Sequence, residues 1–139
     1  LSAFLAQNAI KVENIKYVAS KRFVGDKGKP MEWELSCITP AENEKLKKEC
    51  TRRVPVPGKS HVFTPEMDAA LYVGKLTARC VLFPNLNDAE LQDSYSVMGA
   101  EQLLKTMLTP GEYTDLQSKV MEVCGFDTSM EELVDEAKN

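Results

Sequence analysis

The sequence predicts an α+β fold in which an N-terminal β-hairpin precedes a mostly helical bundle. Two observations support this prediction. Apolar and polar residues alternate on both sides of a Gly/Asp/Pro cluster, and helix-capping Thr-Pro pairs recur after the hairpin. The 139 residues are about one domain's worth. We expect a single domain over 1–139, with a hairpin-containing part at 1–53, a connector at 54–63 and a helical part at 64–139.

The hairpin is predicted from two runs of period-2 alternation. Ile15, Tyr17 and Ala19 form the apolar row of the first run, and the row from Met31 to Cys37 forms that of the second. The outward residues are basic on the first strand and acidic on the second, which favours cross-strand pairing. Because a lone two-stranded hairpin is marginal in water, its apolar face should pack against helices or join another chain's sheet.

Helix-start signals divide the rest of the chain. Thr39-Pro40 and Thr109-Pro110 are each followed by a Glu three residues after the Thr, which predicts a capping box with Pro at the first helical position. Gly125 is predicted to end a helix. Together with Thr64-Pro65, Asn87-Asp88 and Thr128-Ser129, these signals predict helices near 40–52, 65–82, 88–95, 100–107, 110–124 and 129–138. The second of these is predicted to bury Met67, Ala70, Leu71, Gly74, Ala78, Val81 and Leu82.

Segment 54–63 contains two Pro residues, a Gly and small polar residues, which predicts an irregular connector. It also holds the chain's one histidine, His61. A Cys–His nucleophile pair is conceivable because the partners need only meet in space, but a solvated loop histidine is the favoured interpretation. The sequence therefore predicts no catalytic residue and no enzyme.

Composition excludes several other classes of function. The net charge of -4 disfavours sequence-independent nucleic-acid binding, which needs clustered Lys and Arg. No apolar run approaches the roughly 20 residues that span a bilayer. The four cysteines, Cys37, Cys50, Cys80 and Cys124, lack the close spacing of zinc sites and redox motifs. We expect four reduced thiols, no metal, no cofactor, and neither a nucleic-acid nor a membrane partner.

Short motifs follow one another along nearly the whole chain. They are Ser20-Lys21-Arg22-Phe23, Trp33-Glu34, 38–44, 48–51, Pro84-Asn85-Leu86, 90–95, Gly99-Ala100, Leu103-Leu104, 107–113, 125–127 and Ala137-Lys138-Asn139. No single motif is specific, but the ordered series resembles the XkdN-like phage tail assembly chaperones. Ser96 and Cys124 stand where Gly and Asn are more usual in that family.

The resemblance implies a chaperone of a long-tailed phage or prophage that acts in the cytoplasm of the bacterial host. Such chaperones bind the tape measure protein, keep its long helical chain soluble, help to recruit tail tube subunits and are absent from the mature virion. Two alternatives stay open: a structural virion protein, such as a tail or head-completion subunit, and a small enzyme. A homo-oligomer is also possible.

The partner-binding surface is predicted in the C-terminal helical part, where apolar and aromatic residues are denser than short helices should bury fully. The residues in question are Leu82, Phe83, Leu86, Tyr95, Leu104, Leu108 and Tyr113. The alternative interpretation is that they form the core of the bundle. If so, the hairpin surface with Tyr17, Phe23 and Trp33 is the next candidate.

Overall fold

A computed structural model describes residues 1–126 of the chain. Its strands are β1 (Ile15–Tyr17), β2 (Trp33–Leu35), β3 (Thr51–Pro55), β4 (Phe63–Met67) and β5 (Val81–Phe83). Its helices are α1 (Pro40–Glu49), α2 (Ala69–Cys80), α3 (Ala89–Ser94), α4 (Ala100–Met107) and α5 (Pro110–Val123). The predicted α+β class and N-terminal hairpin are confirmed, while the predicted helix at 129–138 lies outside the described residues.

The N-terminal hairpin belongs to a three-stranded antiparallel sheet with the order β1-β2-β5. Tyr17 lies opposite Trp33, and Lys16 lies opposite Glu34, as the charge pattern predicted. The central strand β2 is the best covered, since Trp33 and Leu35 are buried against the helices. The hairpin is therefore stabilised by burial of one face and by a third strand.

The end of the predicted helix at 65–82 is wrong, because its last two residues belong to this third strand. Helix α2 ends at Cys80, and Val81 takes an extended conformation with φ -84° and ψ 110°. Val81 and Phe83 then pair with β2. A three-residue apolar run carries no period of its own, so only pairing with β2 distinguishes this strand from a last helical turn.

Strands β3 and β4 form a second antiparallel hairpin that the sequence did not predict. Three further predictions are wrong for this reason. Helix α1 ends at Glu49 rather than 52, residues 54–63 form the distal part of this hairpin instead of an irregular connector, and α2 does not begin at Thr64-Pro65. The N-cap of α2 is Asp68, whose carboxylate accepts a hydrogen bond from the Leu71 N–H at 3.0 Å. Pro65 is tolerated because both strands of a two-stranded ribbon are edges.

The predicted caps of α1 and α5 are confirmed. The Thr39 hydroxyl accepts from the Glu42 N–H at 3.2 Å, and the Thr109 hydroxyl accepts from the Glu112 N–H at 3.3 Å. In both boxes the Glu side chain accepts in return from the Thr N–H. At the end of α5, Gly125 has φ +75°, which L residues with side chains rarely adopt.

Helix α2 is central to the core and packs against α1, α4 and α5. Its buried residues differ from the predicted stripe, because α2 begins four residues later than predicted and Val81 and Leu82 belong to a strand. Leu71, predicted to be buried, is 38% exposed. The residues that α2 buries are Tyr72, Val73, Gly74, Leu76, Thr77 and Cys80. No helix among residues 1–126 is long and apolar enough to cross a bilayer.

Candidate interaction groove

An apolar groove of about 170 Å³ opens between the N-terminal hairpin, β5 and the helical part. The side chains that line it are Phe23, Met31, Trp33, Phe83, Pro84, Leu91, Tyr95 and Met107. These residues come from the hairpin loop, from β2, from β5 and the residue after it, from α3 and the residue after it, and from the last residue of α4. We call this feature the groove.

The floor and one wall of the groove are set by the hairpin. Trp33 lies on the central strand and is only 2% exposed, so its indole supports the floor. The Phe23 ring lies against it, with 6.4 Å between ring centroids and an interplanar angle of 42°. The Met31 N–H donates to the Phe23 carbonyl at 2.7 Å, which closes the hairpin loop beside the groove.

Strand β5 supplies the exposed rim. Phe83 is 46% exposed and lines the groove, whereas Leu82 is 49% exposed and does not. Successive side chains of a strand point to opposite faces of the sheet, which explains this difference between neighbours. Leu82 and Phe83 are therefore a matched pair, similar in exposure but on opposite faces of one strand.

Arg22 fixes the hairpin loop to the helices behind the groove. Its guanidinium donates to the Met107 carbonyl at the end of α4 and lies 3.5 Å from the Glu112 carboxylate at the start of α5. It also lies 5.2 Å from the Phe23 ring centroid, within cation–π range. A hydrogen bond from the Thr109 N–H, followed by smaller contributions that include Arg22, holds the pKa of Glu112 below its ordinary value.

The wall formed by α3 is acidic on its outside. Asp88, Glu90 and Asp93 are exposed, and the chain has no Lys or Arg from residue 80 to residue 104. Leu91 and Tyr95 of the same segment line the groove. A partner that fits here should therefore combine an apolar insert with basic residues beside it.

The structure places the residues of the predicted partner surface in three environments. Phe83 and Tyr95 line the groove together with Phe23 and Trp33 of the hairpin candidate, so the two candidate surfaces meet there. Three of the predicted residues, Leu86, Leu104 and Leu108, are buried in the core. The half-buried Tyr113 and Tyr17 are not among the groove residues, and Leu82 faces the other side of β5.

Four groove residues escaped prediction: Met31, Pro84, Leu91 and Met107. Of these, Pro84, Leu91 and Met107 belong to family-like motifs, and Met31 belongs to the alternating row of the second strand. Their convergence depends on the tertiary fold, because the groove joins positions as distant as 23 and 107. No local pattern in the sequence contains that information.

Outside the groove, two cysteine thiols lie close enough to interact. The Sγ atoms of Cys80 and Cys124 are 3.7 Å apart, and all four cysteines are free. Hydrogen bonding from Cys80 lowers the pKa of Cys124 to about 7, while the same interaction and burial raise the pKa of Cys80. Among residues 1–126, no three His, Cys, Asp or Glu side chains cluster as a metal site would require. His61 is exposed on the turn of the second hairpin.

A family model and two known proteins are similar to this chain over nearly its whole length. Residues 1–138 match the model of a family described as phage XkdN-like tail assembly chaperone proteins. The whole chain is 31% identical to the phage-like element PBSX protein XkdN of Bacillus subtilis (strain 168), of which 93% is covered. It is 30% identical to the uncharacterized protein YqbN of the same strain, again with 93% of that protein covered.

The fold is similar to a solved structure as well. The crystal structure of the protein YqbN superposes with a TM-score of 0.78 at 26% identity, covering 91% of this chain and 97% of that one. The similarity therefore includes most of the elements described above.

Proposed function

Because the chain belongs to the XkdN-like phage tail assembly chaperones, we propose that it binds the tape measure protein through the groove and helps to recruit tail tube subunits. It acts in the cytoplasm of the bacterial host and leaves before the virion is mature. Family membership supports a role in tail assembly, and the groove supports the assignment of a binding surface.

The observation that carries the proposal is an open apolar groove with an aromatic floor and a half-exposed aromatic rim. Phe83 leaves 46% of its surface in water although Trp33 below it is buried. Surfaces of this kind are typical of protein-binding sites, where buried aromatic anchors contribute most of the affinity. An amphipathic helix can place one or two apolar side chains in such a groove.

The size of the groove sets the expected strength of a single contact. Fully burying one large apolar side chain contributes about 1.5–3 kcal/mol. One anchor therefore gives a weak and reversible contact, which suits a chaperone that must release its partner. A long tape measure chain can offer many such segments, so several chaperone copies can bind it at once.

The test is co-purification of the tape measure protein after co-expression in the host. We expect Phe83→Glu to lower the recovered tape measure protein at least tenfold, because a charge on the rim would have to be desolvated in the complex. Leu82→Glu is the matched control, with the same strand, a similar exposure and the opposite face. It should leave recovery within twofold of the unsubstituted protein.

The fold of each variant is checked by circular dichroism and melting temperature, which should change little because both side chains are half-exposed. Equal recovery for the two variants would remove the groove from the proposal, and loss with Leu82→Glu alone would move the contact to the other face of β5. Mass spectrometry of mature particles tests release: retention of the chain there would indicate a structural virion protein instead.

A further inference from the structure

The β3–β4 hairpin, residues 51–67, is an exposed arm with little cover from the rest of the described chain. Eight of its ten strand residues are exposed, and the other two, Val54 and Met67, are half-buried. The two strands pair only with each other among the described strands. An isolated two-stranded hairpin is marginal in water, so this arm is expected to gain stability from an additional contact. We call residues 51–67 the arm.

The arm presents apolar side chains on both of its faces. Val62 is 45% exposed and Phe63 is 49% exposed, and as successive residues they point to opposite sides of the ribbon. The Val56 N–H donates to the Val62 carbonyl at 2.9 Å, so the hairpin ladder extends to this pair. Phe63, opposite Pro55, is the one Phe, Tyr or Trp in the arm.

The arm is basic although the chain is acidic. It carries Arg52, Arg53 and Lys59 against one acid, Glu66, which gives a charge of +2. Since the whole chain carries -4, the remainder carries -6. The groove offers both complementary features, an apolar interior and the acidic outside of α3.

The arm and the groove are attached to opposite ends of α2. Only Asp68, the N-cap, separates the arm from the first residue of this helix, and β5 with Phe83 directly follows its last residue. The 12 residues of α2 separate the two attachment points by about 18 Å. No residue of the arm lines the groove of its own chain, so the groove remains open to a second copy.

We propose that, when no tail protein is bound, the arm of one copy occupies the groove of a second copy. Phe63 enters the groove, and Arg53, which lies on the same face of the ribbon as Phe63, faces the acids of α3, while Arg52 beside it adds to the positive charge of the arm. The size is compatible, because the groove holds about 170 Å³ and an apolar cavity of about 150 Å³ takes a benzene ring. Contact between two different surfaces repeats head to tail and builds a ring or an open chain of copies.

This inference rests on the proposed function, since it assigns a regulation to the same groove. Self-association covers the apolar groove until the tail protein arrives and competes with the arm. A chaperone organised in this way keeps its binding surface out of contact with unrelated proteins. It also delivers several copies to one long partner.

Sedimentation velocity of the full chain over a range of concentrations provides the test. We expect the unsubstituted protein to associate, and Phe63→Ala to raise the dissociation constant at least tenfold. Reversing the arm charges (Arg52→Glu with Arg53→Glu) should give a monomer, as should reversing the α3 charges (Glu90→Lys with Asp93→Lys).

Mixing the two charge-reversed variants is the decisive step. In the mixture each arm meets a groove wall of opposite charge on the other variant, so association should return. Lys45→Glu with Lys48→Glu on α1 is the control: it makes the same change in net charge as the arm reversal, and association should be unaffected. A protein that is monomeric at every concentration, or a mixture that stays monomeric, would overturn the inference.

Recovery of the tape measure protein separates this inference from the proposed function. The arm-reversed variant should recover at least as much of it as the unsubstituted protein, because its groove is no longer occupied. If it recovers less, the arm contacts the tail protein and the inference is wrong. If no variant binds the tape measure protein but the charge-reversed pair still associates, the proposed function fails and self-association stands.

Discussion

Replacement of Trp33 by alanine tests whether the groove floor is part of the core. Trp33 is 2% exposed at the centre of the three-stranded sheet. Truncating a buried Phe or Trp to Ala costs about 3–5 kcal/mol, as lost transfer free energy plus the cavity that remains. Full burial of a large apolar side chain stabilises a protein by about 1.5–3 kcal/mol. Phe83 on the rim is 46% exposed, so Phe83→Ala should cost only about half of that, about 1 kcal/mol.

The free energies of unfolding of the two variants, measured by urea denaturation with circular dichroism as the signal, should therefore differ clearly. Their melting temperatures should differ as well. For a chain of this size 1 kcal/mol corresponds to roughly 3–5 °C in melting temperature, so Trp33→Ala should lower it by roughly 10–20 °C and Phe83→Ala by roughly 5 °C or less. A loss below about 1 kcal/mol for Trp33→Ala, together with weaker partner binding, would refute the reasoning. Trp33 would then be a contact residue instead of a core residue.

Four further predictions concern local interactions and the cysteines. Thr109→Ala removes the capping hydroxyl of α5 and should cost about 1 kcal/mol in urea unfolding, whereas Thr109→Ser should restore most of it. Tyr72→Phe removes the hydroxyl that donates to the Asn43 side chain and should also cost about 1 kcal/mol; no measurable change would show that this bond does not stabilise α1 on α2. Freshly purified protein should contain four titratable thiols after denaturation without reductant, and a lower number would contradict the reduced state. In the native protein Cys124 should be alkylated with a midpoint near pH 7, and Cys80→Ala should raise that pKa because the hydrogen bond to the thiolate is lost.

The elements predicted correctly are those specified by neighbouring residues. A capping box needs only Thr109 and Glu112, three positions apart, and both predicted boxes are present. The N-terminal hairpin is similarly local, since its two alternating rows flank one turn. The observed register pairs Tyr17 with Trp33, so the apolar rows of the two strands lie on the same face of the sheet.

The missed elements depend on ambiguous or long-range signals. Thr64-Pro65 resembles a helix start, but the residue three positions after the Thr is Met67, which cannot complete a capping box; Asp68 caps the helix instead. Strand β5 exists because it pairs with β2, almost fifty positions earlier in the chain. The start of α2 was ambiguous among neighbouring residues, whereas the pairing of β5 cannot be deduced from any window of neighbouring residues.

The candidate site was predictable only in parts. Dense apolar residues drew attention to Phe83 and Tyr95, which line the groove, but the same criterion selected Leu104, which is fully buried. Hydrophobicity alone does not tell a core residue from a contact residue, because both are apolar. Burial in the folded chain distinguishes them, and it also brings Phe23 and Trp33 of the hairpin to the same groove.

The central claim, that the tape measure protein binds in the groove, is tested most directly by hydrogen–deuterium exchange of the full chain, at a concentration where it is monomeric, alone and in complex with that protein. Segments 23–33 and 81–95 contribute most of the groove and should exchange more slowly in the complex. The exposed outer side of α1, within 44–49, should be unaffected. Protection confined to α1 or to the arm, with exchange at 81–95 unchanged, would contradict the account.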